Sequence, residues 1–132
     1  MTKTIIAIII GGALVLSVFI LMRNDTSPTT VTTATPVQNV TMENGKQIVT
    51  VAAKGGYSPR LSTAKAGVPT ILRMTTNGTF DCSSTVKISS LGIQKNLPPT
   101  GSTDIEIPAQ TTGTTVQALC IMGMYNFEIA FE

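Results

Sequence analysis

The strongest constraint on the fold is a succession of short apolar runs, rich in β-branched residues, that fills residues 45–132. Turn-forming stretches such as GGYSP, KAGVP and LPPTG separate the runs, since glycine permits positive φ and proline restricts φ. Several runs alternate apolar with polar residues, the pattern of a strand with one buried face. We expect seven strands, in QIVTVAAK, RLSTAK, PTILRMTT, STVKISSL, TDIEIPA, TVQALCI and YNFEIAFE. The sequence predicts an all-β domain, a two-sheet sandwich or a Greek-key barrel.

Residues 4–22, TIIAIIIGGALVLSVFILM, form a long apolar segment without a charged side chain. As a helix they would span roughly 28 Å, close to the ~30 Å hydrocarbon core of a bilayer. The alternative is a cleaved signal peptide, but its apolar region is usually about 7–15 residues long and ends in a small-residue site. We therefore expect an uncleaved N-terminal transmembrane helix. Lys3 and Arg23 flank it and nearly balance, so the positive-inside rule leaves its orientation open.

Residues 24–44 differ in composition from the segments on either side. They are rich in threonine, contain two prolines and show no apolar alternation. Such a composition is typical of a flexible linker. The sequence thus predicts a membrane anchor in residues 1–23, a linker in 24–44 and one β-domain in 45–132, since 132 residues leave room for only one ordinary domain.

The composition argues against several kinds of function. The chain has no histidine, and its 9 basic residues are scattered. The usual proton carrier of acid/base catalysis and a basic run for binding phosphates are therefore both missing. We expect neither an enzyme nor a nucleic-acid-binding protein, and no small-molecule substrate. Basic residues of the β-domain fit either ordinary solvated strand charge or a docking face for an acidic partner; they include Lys54, Arg60, Lys65, Arg73, Lys87 and Lys95.

Sulfur side chains are the most distinctive chemical feature of the β-domain. Cys120, Met122 and Met124 occupy alternate positions in LCIMGM and would share one face if the backbone there is extended. Gly123 between the methionines allows the chain to bend. Cys82 lies elsewhere, in NGTFDCSS, after a predicted strand and a turn. Met74, inside the predicted strand ILRMTT, is expected to fill the core.

These donor atoms favour a soft ion. Thiolate and thioether ligands select Cu(I), whereas zinc sites generally use Cys and His and hard ions prefer oxygen. A blue-copper electron-transfer centre needs two histidines with its cysteine, and the lack of histidine excludes it. The metal-binding interpretation that remains is Cu(I) held by sulfur. Its candidate ligands are Cys82, Cys120, Met122 and Met124.

A disulfide between the two cysteines is the competing interpretation. Cysteines at the edges of a β-sandwich often pair when the domain faces an oxidising compartment. The chain would then be an extracytoplasmic adhesion or assembly module that binds no metal, and its methionines would be core residues. A count of free thiols in the unreduced protein distinguishes the two interpretations.

The ordered stretches GGYSP, KAGVPTILRM, FDCSSTVKI, LGIQKNLPPTGSTDIEIPA and CIMGM, followed by a closing strand, resemble the cupredoxin-like domains associated with bacterial copper export. With its N-terminal anchor, the whole chain is similar to the membrane-anchored copper chaperones of that family. The resemblance implies a cupredoxin-like Greek-key fold and a binuclear Cu(I) site. By position, Cys82 and Cys120 would bridge two copper ions, and Met122 and Met124 would supply thioethers.

The resemblance also implies a partner and a location. It implies that Cu(I) is delivered, by ligand exchange, to the metal-binding domain of a copper-exporting P-type ATPase. That role would place the β-domain on the cytoplasmic side of the cell membrane.

Overall fold

The structure, a computed structural model, describes residues 38–132. These residues form ten β-strands and two one-turn 3₁₀ helices, with no α-helix among them, which confirms the predicted all-β class. Within this range no helix has the length and apolar character needed to cross a bilayer. The predicted transmembrane helix at residues 4–22, and the predicted linker as far as residue 37, lie outside the described residues.

The strands are β1 (Val40–Glu43), β2 (Lys46–Ala53), β3 (Tyr57–Ser58), β4 (Leu61–Ala64), β5 (Thr70–Asn77), β6 (Thr85–Ile88), β7 (Ile93–Asn96), β8 (Thr100–Ile107), β9 (Thr115–Cys120) and β10 (Asn126–Phe131). They build two five-stranded sheets. One has the order β1-β2-β5-β8, with β3 paired to β2, and the other has the order β4-β10-β9-β6-β7. The pairs β2–β5 and β4–β10 are parallel, so a tight hairpin cannot join them. The chain instead crosses from β2 to β4 in the other sheet before it returns as β5.

Alternation along the strands places apolar side chains between the two sheets. In β5, Leu72 and Met74 are fully buried, which confirms the prediction that Met74 fills the core. In β10, Phe127, Ile129 and Phe131 face the same interior. The core is therefore an apolar layer between the sheets.

All seven predicted strands are present, and the structure adds β1, β3 and β7. Strand β1 corrects the predicted start of the domain, because it lies within the expected linker and pairs with β2. The turn between them is Asn44–Gly45, and both residues have positive φ, 49° and 77°. Asn-Gly is the preferred sequence for such a tight hairpin turn. The ordered domain thus begins before residue 45.

The antiparallel pairing of β6 with β9 positions the predicted sulfur ligands. Val86 lies opposite Cys120 and Lys87 opposite Leu119, so the start of β6 lies beside the end of β9. Cys82 comes shortly before β6 begins. The topology therefore brings the two cysteines, which are distant in sequence, to the same end of the sandwich.

Candidate metal centre

Cys120 is the last residue of β9 and continues the inward-facing series of Val116 and Ala118. Only 2 % of its surface is exposed. Its sulfur nevertheless accepts a hydrogen bond from the backbone N–H of Tyr125, at 3.4 Å. Cys120 is thus a core residue by packing, but its sulfur has a polar environment on one side.

Cys82 begins a 3₁₀ turn, Cys82–Ser84, that leads into β6. Asp81 caps this turn, and its carboxylate accepts hydrogen bonds from the hydroxyl of Ser83 and from its N–H at 2.8 Å. The same carboxylate accepts the N–H of Gly55 at 2.9 Å, which ties the turn to the loop after β2. These contacts hold the half-buried Cys82 in position without engaging its thiol.

Both cysteines are free thiols, and they lie close enough for each to shift the pKa of the other. The hydrogen bond with Cys120, followed by burial, raises the pKa of Cys82. Burial acts to raise the pKa of Cys120 as well, but hydrogen bonds outweigh it and the pKa of Cys120 falls below its usual range. The donors are the thiol of Cys82 and the backbone N–H groups of Tyr125, Met122 and Met124. The proton therefore stays on Cys82, while Cys120 is the readier thiolate.

The residues after Cys120 form a turn, so the extended backbone that would place the three sulfur residues on one face is not present. Gly123 donates its N–H to the carbonyl of Cys120 at 2.9 Å and has a φ of 71°. A side chain strains the backbone at that φ, so glycine fits the position. The turn directs backbone N–H groups toward the Cys120 sulfur, whereas the side chains of Met122 and Met124 are 72 % and 63 % exposed.

The four predicted ligands thus occupy two kinds of position. Cys82 and Cys120 lie close enough to shift each other's pKa, and the backbone N–H groups of Met122 and Met124 contribute to the lowered pKa of Cys120. The residues Met122 and Met124 are exposed on the turn beside them. Methionine has three rotatable side-chain bonds, so these sulfurs can swing onto an ion bound by the thiols.

Tyr57 forms an aromatic wall close to the thiols. Its ring meets Phe127 edge-on at a centroid distance of 5.0 Å, and its hydroxyl donates to the carbonyl of Thr85 at 3.0 Å. Burial, then the neighbouring cysteines and Asp81, raise the pKa of Tyr57 far above its usual value. Tyr57 therefore stays protonated. Its ring borders the thiols, and its hydroxyl does not act as an anionic ligand.

The donor set around the thiols is a soft one. In residues 38–132, no three side chains from His, Cys, Asp and Glu come together in a way that could hold a metal ion. The nearby carboxylate of Asp81 is already engaged by Ser83 and Gly55. A metal bound by Cys82 and Cys120 would draw further ligands from thioethers or solvent. Cu(I) accepts such a sulfur-rich set.

Sequence reasoning missed Asp81, Tyr125 and the backbone N–H groups as parts of this site. Asp81 carried a signal, because an aspartate before a serine-containing turn is a common capping residue. The hydrogen bond from the N–H of Tyr125 had no signal in the sequence. Nearly any residue supplies a backbone N–H, and only the turn directs this one toward the sulfur.

Comparison with known proteins adds a family match. The family model described as "Cupredoxin-like domain" matches residues 13–128 of the chain. No match to a curated protein was found.

Two solved structures share the fold. The metal-binding domain of the Streptococcus pneumoniae D39 Cu(I)-exporting P-type ATPase CopA, solved with Cu(I), has a TM-score of 0.63 and 20 % identity over 70 % of this chain and 92 % of that domain. A copper-binding protein, solved by NMR in the apo form, has a TM-score of 0.64 and 25 % identity over 72 % of this chain and 96 % of that chain. Both support a cupredoxin-like arrangement of the two sheets.

Proposed function

Because the chain belongs to the family of cupredoxin-like domains, we propose that it is a Cu(I)-binding copper chaperone tethered to the membrane. The observation that carries the proposal is that the fold brings two free thiols, Cys82 and Cys120, to the same end of the sandwich beside two exposed methionines, in a chain without histidine. Both similar solved structures are of proteins described as binding copper, which supports copper as the cargo of this chain. The proposed ligands are Cys82, Cys120, Met122 and Met124.

Copper binding would begin from the hydrogen-bonded thiol pair. Cys120, with its lowered pKa, supplies the first thiolate, and Cys82 gives up the shared proton when copper arrives, so binding releases protons. The backbone N–H groups of Met122, Met124 and Tyr125 face the Cys120 sulfur and offset its negative charge. The burial of Cys120 would help to shield copper held by its sulfur from solvent.

We propose two copper ions per domain, with different lability. The thiolates bridge both ions, and the second also uses the exposed thioethers of Met122 and Met124. Thioethers are neutral and weak donors compared with thiolates, so the second ion is the one passed on. Its acceptor in this proposal is the metal-binding domain of a copper-exporting P-type ATPase, which would contribute to copper resistance. The chain itself catalyses no reaction.

A Cu(I) titration of the reduced full-length chain against a Cu(I) chelator tests this proposal. We expect two equivalents of copper in the wild type and one or none in Cys82→Ser or Cys120→Ser. The double variant Met122→Leu, Met124→Leu should lose or weaken only the second ion. Met42→Leu is the matched control, because Met42 is also exposed but lies on β1. No copper bound by the fully reduced wild type would end the proposal.

A thiol count on the unreduced chain tests the alternative of a disulfide-clamped adhesion or assembly module. Two free thiols agree with the copper proposal and with the free cysteines of the structure. No free thiol, with the Cys82–Cys120 disulfide found by peptide mapping, would favour the alternative.

The membrane tether is proposed from the apolar segment at residues 4–22. We expect the full-length chain to stay with membranes after an alkaline wash, and a protease added to the cytoplasmic face to release the β-domain. A chain recovered in the soluble fraction, or protected from that protease, would contradict the tether or its proposed orientation.

A further inference from the structure

A cavity of about 350 Å³ opens beside the candidate metal centre. Met124 and Tyr125 line it, so it shares part of its wall with the turn next to Cys120. Gly56 lies against the ring of Tyr125, where a Cβ would be 3.6 Å from a ring atom. Small-molecule sites begin at about 300 Å³. The cavity is therefore large enough for a small molecule that would lie next to Met124.

The charges that line the cavity are all positive. Lys54 and Arg60 line it, and no acidic side chain does. In residues 38–132 neither cation belongs to an ion pair, since the two ion pairs found there use Lys46 and Arg73. Arg60 is positioned by its hydrogen bond from Nη2 to Oδ1 of Asn126, at 2.5 Å. Unneutralised cations at a concave surface attract anions, and carboxylates above all fit a guanidinium.

The acidic group next to this wall is Asp81, which accepts the N–H of the lining residue Gly55. Its carboxylate is also bound by the N–H and hydroxyl of Ser83, so it is turned toward the 3₁₀ turn. Lys54 extends toward the loop before that turn, with Nζ 3.9 Å from the place of a Cβ on Gly78. Lys54 therefore lines the cavity while its ammonium lies near Gly78, in the segment that leads to Cys82.

We propose that this cavity binds a low-molecular-weight thiol bearing carboxylates, as the complex in which Cu(I) reaches Cys82 and Cys120. This inference rests on the proposed function. The carboxylates pair with Lys54 and Arg60, and the thiolate with its copper lies at the exposed thioether of Met124. Because Cu(I) favours sulfur ligands, a sulfur-bound donor complex suits its chemistry.

The transfer is a ligand exchange without a change of oxidation state. Each copper–sulfur bond to the small thiol breaks as one forms to the sulfur of Cys120 or Cys82. The proton of the protein thiol goes to the departing small thiolate, which leaves as a neutral thiol group. Copper remains Cu(I), so the step needs neither an oxidant nor a reductant.

Stopped-flow transfer of Cu(I) to the reduced full-length chain from glutathione, and separately from cysteamine, tests the proposal. Both donors carry a thiol, but only glutathione carries carboxylates. We expect Lys54→Gln and Arg60→Gln each to slow transfer from glutathione roughly three- to fivefold, the effect of an exposed ion pair. Transfer from cysteamine should keep its rate. Lys65→Gln is the matched control, because it removes one exposed positive charge at the other end of the sandwich.

Equal slowing by Lys65→Gln would overturn the proposal in favour of a general charge effect. Equal slowing for both donors would overturn it by showing that the effect does not depend on the carboxylates of the donor. Equilibrium Cu(I) affinity, measured against a chelator, separates this proposal from the proposed function. Slower transfer from glutathione at unchanged affinity supports the cavity. A wild type that binds no Cu(I) overturns the proposed function and, with it, this inference.

A metal-free measurement completes the test. S-methylglutathione keeps the carboxylates but has no free thiol, so it probes the cavity without copper. We expect it to shift the amide NMR signals of Gly56 and Tyr125 in the metal-free chain, and Arg60→Gln to reduce that shift. No binding of this probe overturns the cavity proposal and leaves the proposed function standing.

Discussion

The sulfur of Cys120 accepts the N–H of Tyr125, although the side chain packs in line with Val116 and Ala118. A thiol surrounded only by apolar atoms would have a raised pKa and would bind metal poorly. In this domain hydrogen bonds outweigh the effect of burial and lower the pKa of Cys120. A single residue can thus belong to the core and still present a reactive sulfur to the end of the sandwich.

At the residue scale the sequence indicated candidate donor atoms but not their surroundings. Two cysteines, two late methionines and no histidine were enough to predict Cu(I) as the ion. The proximity of Cys82 to Cys120 depends on the pairing of β6 with β9, which no local pattern encodes. The ligand assignment itself remains a prediction.

Asp81 allows a residue-scale prediction of pH dependence. Hydrogen bonds from the side chain and backbone of Ser83, then from Gly55, hold the pKa of Asp81 below its usual range. A depressed carboxyl pKa contributes stability above the ordinary pKa, and that stability is lost as pH falls through the folded-state pKa. We expect Asp81→Ala to lower the Tm near neutral pH, with a smaller difference from wild type in acid. Tm profiles across pH measure this.

The control for that profile is Glu43→Ala, which removes an exposed carboxylate on β1. It should leave the shape of the wild-type profile unchanged. A constant Tm difference between Asp81→Ala and wild type across the acid range would show that the carboxylate charge of Asp81 is not the stabilising feature.

At the element scale, the turn between β9 and β10 determines the surroundings of the Cys120 sulfur more directly than the strands that it joins. Its N–H groups reach the Cys120 sulfur only because Gly123 adopts a positive φ. Alternation correctly predicted the longer strands, where one face is buried. It missed β1 and β7, whose sequences VTME and IQKN bury little and are defined by their pairing partners.

Two glycines provide a matched test of this turn. Gly123 and Gly113 have φ values of 71° and 83°, and an added Cβ would meet nothing within 4 Å at either position. Alanine should therefore cost about 1–2 kcal/mol of unfolding free energy at both sites, from backbone strain alone. Urea unfolding measures this cost. Only Gly123→Ala should weaken Cu(I) binding, and equal Cu(I) affinities for the two variants would contradict a role for the turn.

At the scale of the whole molecule, the two ends of the sandwich differ in the side chains that they carry. The end that holds Cys120 carries the exposed Met122 and Met124, whereas the opposite end is closed by a buried amide. Gln47 is 1 % exposed, accepts the N–H of Lys65 at 2.8 Å and donates to its carbonyl at 2.7 Å and to the hydroxyl of Thr70 at 2.8 Å. The amide thereby links β2 to the segment that follows β4 in the other sheet.

Removal of this amide should affect stability and not copper binding. Gln47→Ala leaves the N–H and carbonyl of Lys65 without their partner, which costs about 1–3 kcal/mol for each buried group left unsatisfied. Urea unfolding should show the loss, while Gln94→Ala, at an exposed position on β7, should show little. A reduced Cu(I) affinity of folded Gln47→Ala would contradict the separation of the two ends.

The central claim is that Cys82 and Cys120 together hold Cu(I), and X-ray absorption of the copper-loaded full-length chain tests it most directly. We expect a first coordination shell made only of sulfur, and its loss in the double variant Cys82→Ser, Cys120→Ser. A shell of nitrogen or oxygen, or a sulfur shell that survives the double variant, would contradict the claim.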